Sequence, residues 1–261
     1  MVRLMVLVMM LVTAALPVAA ADDEERAAQA MQNAQAIVAQ YDNVLDEESL
    51  RAIYRDAERA WQELVRYHGP ATELTPKFSL IRARAATAAH DRKRVVPLWL
   101  EAISANAATS PAFTMGLNVE AAHAAAEAGE TEQAARFFAS ARAYAFVRGD
   151  NSDKTRLQLR VRELQVTGHA MPWRDLKDAL TDLRQFSEGF PMWTLPRLEA
   201  LLSEAEIRLA VEPESKDKRK SLSGLKAEIV LMQKGMNRDL PASFTSRIRT
   251  LYYALEDRYD L

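Results

Sequence analysis

Residues 115–148 read MGLNVEAAHAAAEAGETEQAARFFASARAYAFVR, and the placing of small residues in this stretch decides the fold. Gly129 interrupts it, and each half is rich in good helix formers. In the first half Ala122 and Ala125 lie three residues apart. In the second, Ala134, Phe138 and Ala141 follow a four-then-three spacing that puts them on one helical face. Two helices whose facing residues are this small pack closely across a short turn. The arrangement recurs 39 positions upstream, where Ala83, Ala86 and His90 stand for Ala122, Ala125 and Gly129. There Val95, Trp99 and Ala102 stand for Ala134, Phe138 and Ala141. A downstream slide of 39 brings Val161, Leu164 and Gly168 into the first-helix columns. The partner helix then enters late, behind Met171-Pro172, as Leu176, Leu180 and Leu183. Ile53, Ala57 and Ala60 repeat the rhythm once more.

This small-small-turn-Ala-aromatic-Ala pattern resembles the tetratricopeptide repeat family. The resemblance is best at 115–148 and covers residues 76–186; the flanks match only as generic helical pairs. It departs from the family in its period of 39 residues against the usual 34, and in lacking the Trp and Tyr of the first helix. No proline closes the unit near residue 146, although Pro111 closes the one before. The residues alone leave a non-repeating helical bundle as the alternative. The resemblance implies a right-handed α-solenoid of antiparallel helical hairpins, in which the first helix of each pair lines a concave, peptide-binding surface. Carried onto this chain, that column is Lys77, Leu80 and Arg84, then Val119 and His123, then Gln158, Arg162 and Gln165. Arg84, His123 and Arg162 are spaced 39 apart, a basic row suited to carboxylates; the bland alternative is a solvated ridge.

Outward from the repeats, breakers and periodicity predict about eleven helices, over 23–41, 47–67, 76–90, 93–107, 112–128, 131–147, 153–168, 173–188, 195–212, 219–234 and 243–258. Asp46, with Glu47 and Glu48 behind it, reads as an N-cap, Ser243 as another, and Gly189 with Pro191 as a stop. No alternating strand run with a hairpin turn signal is present, so the expected class is all-α. The expected division is a leader over 1–21, repeats over 22–190, and a C-terminal hairpin with capping helix over 191–261.

The leader is read from Arg3, the apolar run Leu4 to Val12, Pro17 and the small residues Ala19 to Ala21, ahead of the acidic Asp22 to Glu25. That is the layout of a cleaved secretory signal, with processing after Ala21 or Ala20. The run is shorter than the roughly 20 apolar residues a spanning helix needs. No cysteine is present to carry a lipid. The expected address is therefore the periplasm, without an integral membrane segment in the mature chain; secretion or anchoring by the uncleaved signal are the alternatives. Residues 1–21 hold one basic residue and no acidic one, which leaves 33 basic against 36 acidic. Such a balance gives no whole-chain steering toward nucleic acid. The absence of cysteine excludes disulfides and thiolate chemistry.

Catalytic motifs are sparse. His68, His90, His123 and His169 fall in separate helical pairs, and no H-E-x-x-H, G-x-S-x-G or phosphate-cradling loop occurs. Ser215 with Lys218 and Ser223 with Lys226 have Ser-Lys spacing but no partner motifs. His90-Asp91 reads as a turn rather than a base with its orienting carboxylate. No metal or cofactor site is expected. The basic clusters 91–94 and 216–220, each with an acid of its own (Asp91, Asp217), read as solvated turns, with contact to anionic lipid or a polyanion as the alternative. Trp173, Phe186, Phe190, Trp193 and Tyr252-Tyr253 read as core and cap. The expected function is a non-enzymatic adaptor holding a protein or peptide with an acidic segment or free carboxylate in the bacterial envelope. Oligomers remain possible. An envelope hydrolase and a self-assembling subunit are the alternatives.

Overall fold

A computed structural model describes residues 2–42, 44, 46–145, 152–236 and 240–261, with backbone alone for 2–21 and 152. The described residues form eleven α-helices and no strand. They are α1 (Val2–Tyr41), α2 (Glu47–His68), α3 (Thr75–Ala88), α4 (Val95–Ala105), α5 (Pro111–Glu127), α6 (Thr131–Ala145), α7 (Ser152–Thr167), α8 (Trp173–Glu188), α9 (Leu195–Val211), α10 (Lys216–Gly235) and α11 (Ala242–Tyr259). A 3-10 turn, Gly168–Ala170, follows α7. α1 runs as one helix across the expected processing position. No helix among the described residues is long and apolar enough to cross a membrane.

The chain divides into two compact units, Met1–Ala108 and Thr109–Leu261. The division falls within the stretch read as repeats, just ahead of Ser110, whose hydroxyl accepts from the Phe113 amide at 3.3 Å and caps α5. In the first unit α1, α2, α3 and α4 pack in consecutive order. Trp61 of α2 and Phe78 of α3 stack there, ring centroids 5.6 Å apart, over Ala34, Ala57, Leu64 and Ile81. In the second unit α5 packs on α6 and α6 on α7, while α9 meets α7, α8, α10 and α11. Its core is a succession of clusters: Ala141, Ala145 and Leu159; then Leu157, Leu164, Leu180 and Ile207; then Leu198, Leu225, Ile229 and Leu251.

Local chemistry sets the helix ends. Asp46 accepts from the amides of Glu48 and Ser49, and Glu47 and Glu48 meet the positive end of α2. The aligned turns after α3 and α5 share one geometry. His90 (φ 53) and Gly129 (φ 88) are both left-handed. Asp91 N bonds to Ala86 O at 3.0 Å, and Glu130 N to Ala125 O at 2.8 Å. This is the Schellman closure, which favours glycine at the left-handed position. Above these turns Ala83, Ala86, Ala122, Ala125, Ala134 and Ala141 are completely buried, beside Trp99 and Phe138.

Three local expectations change. Pro241, not Ser243, precedes α11, and no side chain caps it. Lys216 to Lys220 is not a turn: Ser215 Oγ accepts from the Lys218 amide at 3.0 Å and starts α10 three residues early. Trp193 and Tyr253 are not core, being 46% and 66% exposed, whereas Trp173, Phe186 and Phe190 do pack on the α7–α8–α9 cluster. The expected end of the sixth helix, at residue 147, lies outside the described residues.

His90→Gly relieves a left-handed non-glycine residue and should stabilise the chain by about 1 kcal/mol, raising the midpoint of thermal unfolding followed by circular dichroism. Gly129→Ala should lower it. Ala122→Leu should cost about 1–3 kcal/mol by overpacking, while Ala139→Leu, at an exposed position, should leave the midpoint unchanged.

Candidate functional site

Charged side chains penetrate both units, and their partners separate the structural ones from those available to a ligand. In the first unit Glu58 is buried on α2 and receives Arg82 Nε of α3 at 2.8 Å and a guanidinium nitrogen of Arg94. Arg82 also donates to Glu101 of α4 at 2.6 Å and lies over the Trp61 ring, 4.7 Å from its centroid. Tyr54 donates to Asp91 at 2.7 Å. Burial first, and this hydrogen bond second, push its hydroxyl up to about 12. Asp91 thus serves Tyr54, while His90 Nε2 lies 3.7 Å from a Glu47 oxygen. His90 and Asp91 do not act on each other. The cluster ties α2 to α3 and α4, and its oxygens and guanidinium groups are used in doing so.

In the second unit Glu163 is buried between Arg142 and Arg160, and Arg208 bridges Glu204 and Glu212 at 2.8 and 3.1 Å. Lys218 is 1% exposed; its ammonium donates to Leu209 O, Glu212 O and Glu214. These groups are saturated, and their role is structural.

A different arrangement runs over α5, α7, α9 and α11. His123 of α5 stands exposed, its ring edge-on to Phe138 with centroids 5.7 Å apart. Partial desolvation lowers its pKa, the neighbouring Arg162 of α7 lowers it further, and Glu127 opposes both. Arg162 is exposed and makes no ion pair among the described residues. One turn along α7, Gln165 Nε2 donates to Ser203 Oγ of α9 at 3.1 Å. Arg247 of α11 donates to the same oxygen at 3.1 Å and to Glu206 at 2.7 and 3.1 Å. The hydrogen bond to Glu206 is the main reason its pKa is raised.

This track offers donors rather than a reaction centre. Ser203 Oγ lies between two donors and has no base to take its proton, so it is not poised as a nucleophile. Among the described residues no three His, Cys, Asp or Glu side chains converge as a metal site. The open end is the His123–Arg162 pair, where a planar guanidinium and an imidazole can meet a carboxylate.

The residues expected to line a groove are distributed unevenly. His123 and Arg162 come together, and Gln165 joins the track. Gln158 is half-buried on α7, and Val119 packs against Ala141, Ala145 and Leu159. In the first unit Leu80 is 7% exposed, a core residue rather than a shelf. Lys77 pairs with Asp42 at 2.6 Å, and Arg84 is half-buried and engaged. Ser203, Glu206 and Arg247 were not expected. Their separations supply the missing signal, since Gln165 to Ser203 is 38 residues and Glu206 to Arg247 is 41, close to the 39-residue spacing seen in the sequence.

No protein-family model, curated protein or solved structure matches the chain.

Because the folded chain favours neutral His123, its contribution to stability is complete above the ordinary pKa of 6.5 and is lost as pH falls through the lowered value. In an NMR titration the His123 midpoint should lie below 6.5 and move upward in Arg162→Gln. A midpoint indifferent to that substitution would separate the two side chains.

Proposed function

We propose that the chain is a non-enzymatic adaptor, an exported helical-repeat protein that holds a protein or peptide partner in the periplasm of a bacterial envelope. The proposed architecture is a right-handed, tetratricopeptide-like α-solenoid of antiparallel hairpins. The repeated Schellman turns, the buried alanine columns and the packing of α9 on both α7 and α11 support it. The leader-like residues 1–21 support the address.

The observation that carries the binding role is the unpaired, exposed Arg162 beside His123, at the head of a track leading through Gln165 and Ser203 to Arg247. Gln165 and Arg247 are already ordered by Ser203 and Glu206, which lowers the entropic cost of binding beside them, and the unpaired end at Arg162 defines where an acidic segment or free carboxylate seats. Apolar contact comes from Val119. Saturated buried charges and a donor-flanked Ser203 support binding over hydrolysis.

The test is cross-linking of the purified chain to native envelope extract, followed by capture. A discrete partner should be retained by the unaltered chain and by Lys77→Glu, and lost in Arg162→Glu. An unchanged captured set in Arg162→Glu would sink the track as the binding surface. Release of fragments from cell-wall material by the chain alone would overturn the non-enzymatic reading.

A further inference from the structure

We propose that the outward face of α10 is a docking surface for an anionic lipid bilayer. Lys216, Lys220, Ser223, Ala227, Leu231 and Lys234 follow helical spacing down one stripe, and all six are exposed. At 1.5 Å per residue the stripe is about 27 Å long.

Three observations converge on the same ligand chemistry. First, the charges are surplus to the fold. Lys218 is buried and saturated, and Lys226 donates to Leu261 O at 2.7 Å while lying over the Tyr252 ring. Lys216, Arg219, Lys220 and Lys234, by contrast, make no side-chain hydrogen bond or ion pair among the described residues. The nearby Glu228 is held by Arg184. Three of the four free cations crowd the start of α10, where the helix dipole disfavours positive charge, and Lys216 repels Lys220 one turn on. Helix stability does not account for them.

Second, the far end of the stripe is apolar and exposed. Leu231 is 49% exposed, and one turn further Trp193 lies against Gly235. A Cβ at Gly235 would come within 2.3 Å of the Trp193 ring, so only glycine lets the indole rest on the helix there. Met192 beside it is 44% exposed. Tryptophan with lysine at the rim of an apolar stripe is the composition of an interfacial membrane helix.

Third, the surface has no second wall. The shallow depression over Ala227 and Leu231, about 450 Å³, is lined by residues of α10 alone. A bilayer accepts a single exposed face with long lysine stems reaching its headgroups, whereas a partner helix on such a face needs an apolar seam repeating every three to four residues, and Lys216, Lys220, Ser223 and Lys234 interrupt one here.

The experiment is co-sedimentation of the full chain with vesicles of phosphatidylcholine alone and of an equimolar phosphatidylcholine–phosphatidylglycerol mixture. Quenching of tryptophan fluorescence by brominated lipid is read in parallel. The anionic vesicles should bind the chain more tightly and lose it with added salt. The triple variant Lys216→Glu, Lys220→Glu, Lys234→Glu should weaken binding by about a hundredfold or more, while its circular dichroism spectrum stays that of the unaltered chain. Trp193→Phe should remove most of the quenching. Equal binding to both vesicle types, as attachment through residues 1–21 alone would give, overturns the proposal; so does binding that the triple variant retains. Concentration-dependent mass in light scattering that Leu231→Asp abolishes, without vesicle binding, assigns the face to a second copy and equally overturns it.

Discussion

Alanine at the crossing points sets how near the helices come to each other, and the remaining contacts inherit that spacing. Ala83 and Ala86 in one turn-linked pair, and Ala122, Ala125, Ala134 and Ala141 in the next, are each fully buried. With only a methyl group between backbones, the space left beside the crossings is filled by a single large side chain, Trp99 or Phe138. The Trp99 indole uses its one donor on Thr87, at 3.0 Å, so its burial leaves no polar atom unmet. Close crossings require well-placed turns, and the left-handed residues His90 and Gly129 reverse the chain within a few positions. That one of the two is histidine shows that the turn geometry is imposed by packing rather than by local preference.

Buried charge gives the pairs their register. Glu58 takes guanidinium groups from both α3 and the approach to α4, and Arg82 continues to Glu101. Removing one partner would strand the others in a low-dielectric setting, a cost of about 3–5 kcal/mol. Leucine and alanine tolerate sliding along a helix; a buried carboxylate matched to two guanidinium groups does not. The second unit uses the same device at Glu163 and along Glu204, Arg208 and Glu212. The polar track differs in kind, because one of its ends is left open at Arg162.

Much of the helical layout was legible in the sequence, since glycine, proline and periodic small residues speak directly to backbone geometry. The start of α10 was misread because lysine density in 216–220 resembles a solvated loop. Ser215 as an N-cap was the overlooked cue, and the burial of Lys218 against backbone carbonyls has no signature in composition. The candidate site was half visible. His123, Arg162 and Gln165 sit at repeat-spaced positions, whereas Ser203 and Arg247 follow the late-entering α8, where the alignment lost its frame. Leu80 was assigned to a surface by the family pattern, although its place between Ser79 and Ile81, both buried, makes α3 apolar on more than one side. Trp193 and Tyr253 show the limit of treating aromatics as core: their exposure depends on neighbours brought from elsewhere in the chain.

The successive core clusters have a kinetic meaning. Within each unit the apolar groups that meet come from helices next to each other, or next but one, along the chain, so forming one cluster closes only a short loop. Chains built from such local contacts fold quickly. Amide protons on α9, which touches four other helices, should therefore be among the last in the second unit to exchange with solvent. The last helix, α11, which packs on α9 and α10, can open while the rest stays closed.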